Sequence, residues 1–249
     1  MANRRPISAQ LLRGRTAYVI FAGSDSGSQV VAGLQAQGAR TALVSEQFDP
    51  IADISITAGV ASRAAVSRAF ARAVEHIGPP DLTVICIGPS STRQPCSLDQ
   101  YTDEDWTTKC QAPLKSTLFC LQEAATAMAG RGGAVVLLGP TVGYTGAKEL
   151  VALCTLTEGQ RGLVKSAARQ LGVKGITVNW LALASTALYP DLRKVRLPQV
   201  PEMGPPPLPL GRAPALGQVV SVLAFLGSTG GRVVTGASLT ADGGEWMLP

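Results

Sequence analysis

Tyr144-Thr145-Gly146-Ala147-Lys148 sets a phenol and an ammonium four residues apart. On a helix that spacing puts the two on adjacent turns, with both groups able to exchange protons. Gly143 and Gly146 bracket the tyrosine, however, and mark the segment as a turn rather than a helix. A second candidate is Gly23-Ser24-Asp25-Ser26-Gly27, directly after the apolar run Thr16–Phe21. Glycines between a strand and a helix let a phosphate approach the backbone N–H groups of the helix N-terminus. Asp25 places a carboxylate inside that turn with no basic residue to offset it, which opposes an anion. Cys86, Cys96, Cys110, Cys120 and Cys154 have no C-x-x-C spacing and His76 is the single histidine. No metal site is expected, and the thiols read as small buried side chains.

The elements that would position these groups alternate. Thr16–Phe21 reads as a strand, followed by a helix carrying Val30, Val31 and Leu34, then the strand Thr41–Val44. Val60–Ile77 reads as a helix with Val66, Phe70 and Val74 on one face, and Leu82–Ile87 as a buried strand stopped by Gly88-Pro89. A long helix from about 106 to 128 precedes the strand Ala134–Leu138, and a helix from about 150 to 171 precedes the strand Ile176–Leu181. Gln218–Leu226 is the last helix, and Ala237–Thr240 closes the chain as a seventh strand. Strands alternating with helices imply one α/β domain over residues 1–249 with a doubly wound parallel seven-stranded sheet, because each parallel crossover needs a covering helix. Pro198, Pro201, Pro205, Pro206, Pro207, Pro209 and Pro214 make 198–214 a stiff surface loop within that domain.

Composition narrows the class. With 46% hydrophobic residues and only 5% aromatic, the core must be aliphatic, as helices on a parallel sheet prefer. No apolar run reaches the roughly 18 residues of a membrane span, and Met1–Pro6 lacks the apolar stretch of a signal peptide, so a cytoplasmic protein is expected. The net charge of +5 is scattered, without the aromatic-plus-basic stripe of a nucleic-acid binder. It leaves a weak attraction for anionic ligands such as CoA esters.

Several landmarks, taken in order, resemble the short-chain dehydrogenase/reductase family across nearly the whole chain. They are Gly23-x-x-x-Gly27, Pro113-Leu114-Lys115-Ser116-Thr117-Leu118-Phe119, Lys165–Arg169 with Gly175-Ile176-Thr177-Val178-Asn179 after it, Leu210-Gly211-Arg212, Phe225–Ser228, Thr235-Gly236 and Asp242-Gly243-Gly244. The resemblance implies a Rossmann-type fold and locates the family's chemistry. Where the family carries Asn, Ser, Tyr and Lys, this chain carries Pro113, Pro140, Leu153 and Thr157. None of the four replacements can pass a proton or hold a positive charge. The family's lysine precedes the Asn of its V-N strand by the interval that separates Thr157 from Asn179, 22 residues, whereas Lys148 lies 31 residues before it. Tyr144 and Lys148 are therefore a coincidental match.

The resemblance also implies a degraded dinucleotide site. Ala22 and Gln29 stand at the first and last positions of the family's Gly-rich turn, and Asp25 lies within it. Ser45 replaces the acidic residue that holds the adenosine ribose, with Glu46 beside it, and Gly59 replaces the Asp that meets the adenine. The family's N-N-A-G has become Ile85-Cys86-Ile87-Gly88, and its P-G has become Leu183-Ala184. These losses imply a chain with no catalytic residues and no bound cofactor. It would assemble with an active sibling that holds NAD, as a hetero-oligomer and in this family a tetramer, to oxidise a hydroxyacyl-CoA-type substrate. The family includes such heteromeric enzymes, among them the dehydrogenase of (α-hydroxybenzyl)succinyl-CoA in anaerobic toluene degradation. Small residues on the two long helices (Ala124, Ala125, Ala127, Gly159, Gly162, Ala167 and Ala168) would let partners approach. The alternative is a repurposed non-redox enzyme, an isomerase, cyclase or dehydratase, with Cys86, Cys110, Tyr144, Lys148 and Glu149 lining the vacated cleft.

Overall fold

Successive side chains of a strand point to opposite faces, and here both faces are apolar. In the first strand Val19 and Phe21 join one core cluster while Tyr18 and Ile20 join another. Such a strand has to be covered on both sides. The computed structural model describes residues 10–23, 26–195 and 208–247. In chain order its main elements are β1 (Thr16–Ala22), α1 (Gly27–Ala36), β2 (Arg40–Ser45), β3 (Ile54–Thr57), α2 (Arg63–Ile77) and β4 (Leu82–Ile87). Next come α3 (Asp103–Trp106), a π-helical stretch Thr107–Gln111, α4 (Ala112–Ala127), β5 (Gly133–Pro140), α5 (Val142–Thr145) and α6 (Val151–Leu171). The series closes with β6 (Ile176–Leu183), α7 (Ser185–Leu188), α8 (Leu216–Gly227) and β7 (Ser238–Ala241).

All strand pairs are parallel, in the order β3-β2-β1-β4-β5-β6-β7. The doubly wound seven-stranded sheet expected from the sequence is the observed one. Helices α1 and α8 cover one face through Val30, Val31, Leu34, Val219, Val220 and Leu223. Helices α2, α4 and α6 cover the other through Val66, Phe70, Cys120, Leu121, Val164 and Ala168. The strand order reverses between β1 and β4, so a crevice opens there at the carboxyl ends of the strands.

Four details differ from expectation. The edge strand β3 is absent from the pattern of apolar runs; it is four residues long and opens on half-buried Ile54 and Ser55, which leaves almost no alternation to read. On α2 the buried face is Val66, Ala69, Phe70, Ala73 and Ile77, while Val74 is exposed. Steps of four outrun the 3.6-residue turn, so a third member of such a row drifts off the face. The long helix starts at Asp103, where Thr102 and Asp105 form a reciprocal cap, and it widens into the π stretch just before Pro113. Pro113 has no N–H for the carbonyl one turn back and its ring crowds that carbonyl, so a wider turn carries the helix through. Ala124 and Ala168 are buried against the sheet rather than presented outward, whereas Gly162 is exposed and Gly159 is half-buried.

The family-like motifs near the C-terminus serve the frame. Asn179 donates from Nδ2 to the Val234 carbonyl at 2.8 Å and accepts from the Ala237 N–H at 3.1 Å, which fixes the lead-in to β7. Thr235 Oγ1 accepts from the Val178 N–H at 3.1 Å. Asp242 accepts from the Gly244 and Trp246 N–H groups at 2.9 and 2.7 Å. Each satisfies backbone groups that burial would otherwise leave unpaired. Among the described residues no helix is long and apolar enough to cross a membrane.

Candidate functional site

At the β1/β4 reversal, backbone ends converge around open space. A cavity of about 760 Å³ lies in front of the Gly-rich turn, floored by Phe21 and Leu43 and walled by Gln29, Glu46, Phe48 and Asp49. Gly23 and Gly27 border it, yet their glycine character answers to packing. Gly23 has φ +87°, and a Cβ there would lie 2.5 Å from Pro89 Cα and 2.6 Å from the Gly88 carbonyl oxygen. A Cβ on Gly27 would press on Leu43 and Phe21 at 3.2 Å. The turn is thus drawn tight against the end of β4. Asp25 lies outside the described residues. Gln29 is exposed on α1 at the cavity wall, Ala22 is buried, and Gly59 is exposed beyond β3 with nothing near its Cβ position. Ser45 turns its hydroxyl onto the Gln47 carbonyl at 2.6 Å. Asp49 is bound by the Ser28 hydroxyl and by the Ile51 N–H.

The back of the cavity is closed by three residues that sequence reasoning missed. Arg93 is 8% exposed, and its Nε donates to both carboxylate oxygens of Asp191 at 3.1 and 2.8 Å. Its Nη1 donates to the Gly88 carbonyl and its Nη2 to the Gly23 carbonyl at 3.2 Å. The guanidinium carbon lies 4.3 Å from the centroid of the Tyr189 ring, a cation–π contact. Tyr189 is itself buried, with its hydroxyl 3.7 Å from the Cys86 thiol. A Cβ on Gly88 would fall 2.0 Å from that hydroxyl, so only glycine admits the tyrosine here. Burial pushes the Tyr189 phenol well above its ordinary range. It also pushes the Cys86 thiol up to about 12, against the smaller opposing effects of the Tyr189 hydrogen bond and the Arg93 charge. Both groups are neutral at physiological pH and sit in a dry environment.

The four positions at which the family's proton machinery would stand are also buried. Pro140 ends β5, Pro113 lies in the first turn of α4, and Leu153 and Thr157 stand one turn apart on α6. Leu153 packs in the same core as Val142, Leu150, Leu183, Leu188 and Tyr189. Thr157 returns its hydroxyl to the Leu153 carbonyl at 2.8 Å, and its Cγ2 would be 2.5 Å from a Cβ on Gly143. One turn on, Gln160 is buried and donates to the Ile87 carbonyl and to Thr117 Oγ1, both at 2.9 Å, tying α6 to β4 and α4. At the far end Glu245 accepts from Thr141 Oγ1 at 2.7 Å and from the Ser185 N–H at 3.3 Å. That carboxylate stitches the C-terminal segment across the ends of β5 and β6.

Tyr144 and Lys148 do not share a helix. Tyr144 occupies the single turn α5 rather than a loop, which corrects the expectation, and exposed Lys148 lies in the turn beyond it. The Tyr144 ring carries Arg161 at 5.2 Å, and burial raises its pKa. Smaller opposing effects come from the Arg161 charge and from the neighbouring Trp180 and Ser238 side chains. Cys86, Cys110, Tyr144, Lys148 and Glu149 do not gather around the open cavity; none of them lines it. Cys86, Cys110 and Cys120 are buried as small core thiols, while Cys96 and Cys154 are partly exposed. Of the proline-rich segment, 198–207 lie outside the described residues, and Gly244 approaches Pro209 too closely to carry a Cβ. Arg93 and Tyr189 leave a faint one-dimensional trace, an Arg in a Ser/Thr-rich loop and a Tyr just after a buried strand. Neither shows what it meets.

A family model described as enoyl-(acyl carrier protein) reductase matches residues 22–245. A 3-oxoacyl-[acyl-carrier-protein] reductase from Staphylococcus aureus is 28% identical over 246 residues, covering 98% of this chain and 93% of that protein. A (3R)-3-hydroxyacyl-CoA dehydrogenase from Rattus norvegicus is 31% identical over 176 residues, covering 68% of this chain and 64% of that one. The structure of sorbitol-6-phosphate 2-dehydrogenase from Erwinia amylovora superposes with a TM-score of 0.79 at 23% identity, over 93% of this chain and all of that one. A Serratia marcescens short-chain dehydrogenase/reductase mutant gives 0.76 at 24% identity, over 94% of this chain and 99% of that one. With the match running from the end of β1 to the C-terminal segment that carries Glu245, the chain belongs to the short-chain dehydrogenase/reductase family.

Proposed function

We propose that this chain is a non-catalytic subunit, binding no dinucleotide, that assembles with an active short-chain dehydrogenase sibling into a hetero-oligomer. The sibling supplies NAD and the catalytic groups. The observation that carries the reading is the packing at Leu153 and Thr157, buried at 1% exposure each where a tyrosine and a lysine would have to reach a substrate. A proton-transfer pair must meet the reacting oxygen at hydrogen-bond distance. An aliphatic side chain and a threonine committed to its own helix carbonyl offer no such group. Support also comes from the cofactor side, where Arg93 and Tyr189 occupy the back of the crevice and Gln29 stands at its wall.

The substrate class in this reading is a hydroxyacyl thioester, as the names of the acyl-carrier-protein and acyl-CoA relatives suggest. The dehydrogenase of (α-hydroxybenzyl)succinyl-CoA is the specific assembly it fits. The retained frame gives the fold something to do without chemistry. Surfaces of α4, α6 and α8 remain available for a partner, with Trp106, Leu118 and Phe225 exposed on or beside them.

Native mass spectrometry of the protein purified from its source tests the reading. A complex with a second chain of the same family, with dinucleotide only in the partner, is the expected result. Stoichiometric NAD(P) in this chain alone, or hydride transfer by it, overturns the proposal.

A further inference from the structure

Three segments far apart in sequence meet on one buried cation. The Gly23 carbonyl belongs to the turn after β1, the Gly88 carbonyl to the end of β4, and Asp191 to the segment after α7. We propose that the Arg93 guanidinium is an internal substitute for a bound dinucleotide, adding to the direct packing of three segments a polar tie that a ligand in the crevice would otherwise supply. The inference rests on the proposed function only in that no dinucleotide occupies the crevice.

The chemistry suits an arginine alone. Both carbonyls stand beside neighbouring strands at the reversal of the sheet, where acceptors without a helix or strand partner need a donor. A guanidinium offers five N–H groups in a rigid plane, so it can serve a carboxylate and two separate carbonyls at once. The Tyr189 ring lies across its face at 4.3 Å and completes the enclosure. Arg93 spans 70 residues to Gly23 and 98 to Asp191, so its loss should be felt at both remote ends. A lysine keeps the charge but presents a single ammonium that cannot span all three acceptors.

Hydrogen–deuterium exchange of the full chain, read by mass spectrometry without added nucleotide, tests the idea. Arg93→Ala should raise exchange about tenfold in peptides covering 21–30 and 185–195 together, while β5 and β6 keep wild-type protection. Arg93→Lys should show the same pairing, and it remains readable if the alanine variant fails to fold. Gly88→Ala, which displaces the Tyr189 hydroxyl, should loosen 185–195 with Arg93 still present. Wild-type exchange at 21–30 and 185–195 in the Arg93 variants, or a rise confined to 88–95, would overturn the proposal. A parallel wild-type sample with NAD reads the underlying premise by itself. Slower exchange at 21–30 there would defeat the no-dinucleotide reading, whereas the Arg93 result is obtained without ligand.

Discussion

In front of the Gly-rich turn the crevice is open and edged by carboxylates; behind Tyr189 it is packed. The front keeps a cavity of about 760 Å³ on a buried floor of Phe21 and Leu43, with exposed Gln29 and Glu46 and half-exposed Asp49 along its wall. The rear is filled: Cys86, Leu153, Thr157 and Tyr189 are each 2% exposed or less. On the proposed function, the two halves would keep a dinucleotide out by different physical routes. At the front that reading turns on Gln29, an exposed side chain at the cavity wall, whose effect would be local and reversible. At the rear the space has been absorbed into the core, where any change of volume is transmitted to neighbours.

The contrast is most severely tested by restoring the family's pair in the rear. Leu153→Tyr with Thr157→Lys should destabilise the chain by about 3–5 kcal/mol, because it overpacks a filled site and buries an ammonium there. For a domain of this size that lowers the melting temperature by about 10 °C. Scanning calorimetry or thermal circular dichroism measures it. A double variant with the wild-type melting temperature and measurable hydride transfer would mean the rear half is open, and the comparison would collapse.

A moderate effect comes from alkali. Burial raises the Cys86 thiol from its ordinary value of 9.0 to about 12 in the folded chain. A group whose folded pKa is raised stabilises the fold fully below its unfolded pKa and loses that contribution as pH climbs toward the folded value. Between about pH 9 and 11 each such group costs about 1.4 kcal/mol of stability per pH unit. Cys120, on the opposite face of the sheet, is pushed up to about 12 in the same way and adds its own slope. Urea unfolding at stepped pH should show Cys86→Ala losing stability less steeply than wild type by about that one-group slope. Identical slopes would place water beside Cys86 and contradict a dry rear half.

How much of the molecule is legible in its sequence depends on the range of the interactions. Five of the seven strands show in the sequence because runs such as Leu82–Ile87 are buried on both faces, leaving a local apolar signature, and half-exposed β7 shows through its flanking glycines. The short β3 carries none, being held through pairings such as Ala42 with Ile54 and by Asp53 accepting from the Thr41 N–H at 2.7 Å. The sequence reading of Pro113, Pro140, Leu153 and Thr157 rests on the register of flanking motifs, and all four are buried, as apolar or self-satisfied side chains can be. Arg93, Tyr189 and Glu245 could not be found that way. Their partners lie 60 to 104 residues off, apart from Gly88, and no periodicity in the sequence encodes such meetings.

The smallest expected effect lies in the front half, and it separates the two routes most cleanly. Gln29→Gly with Glu46→Lys removes the added bulk and turns a carboxylate into a cation at the cavity wall. Both residues are exposed, so stability should fall by no more than about 1 kcal/mol, chiefly from placing Gly in the first turn of α1. The open half should then accept ADP weakly, with a Kd of about 1 mM, or about −4 kcal/mol. NAD should bind no tighter than ADP, because its second half meets Arg93 and Tyr189, which the substitutions leave in place. Calorimetric titration of the two ligands against the same variant gives the answer as a ratio. Equal affinities place the barrier at the Arg93–Tyr189 wall, and NAD binding tenfold tighter than ADP would show that the wall yields and that both halves obey the same local electrostatics.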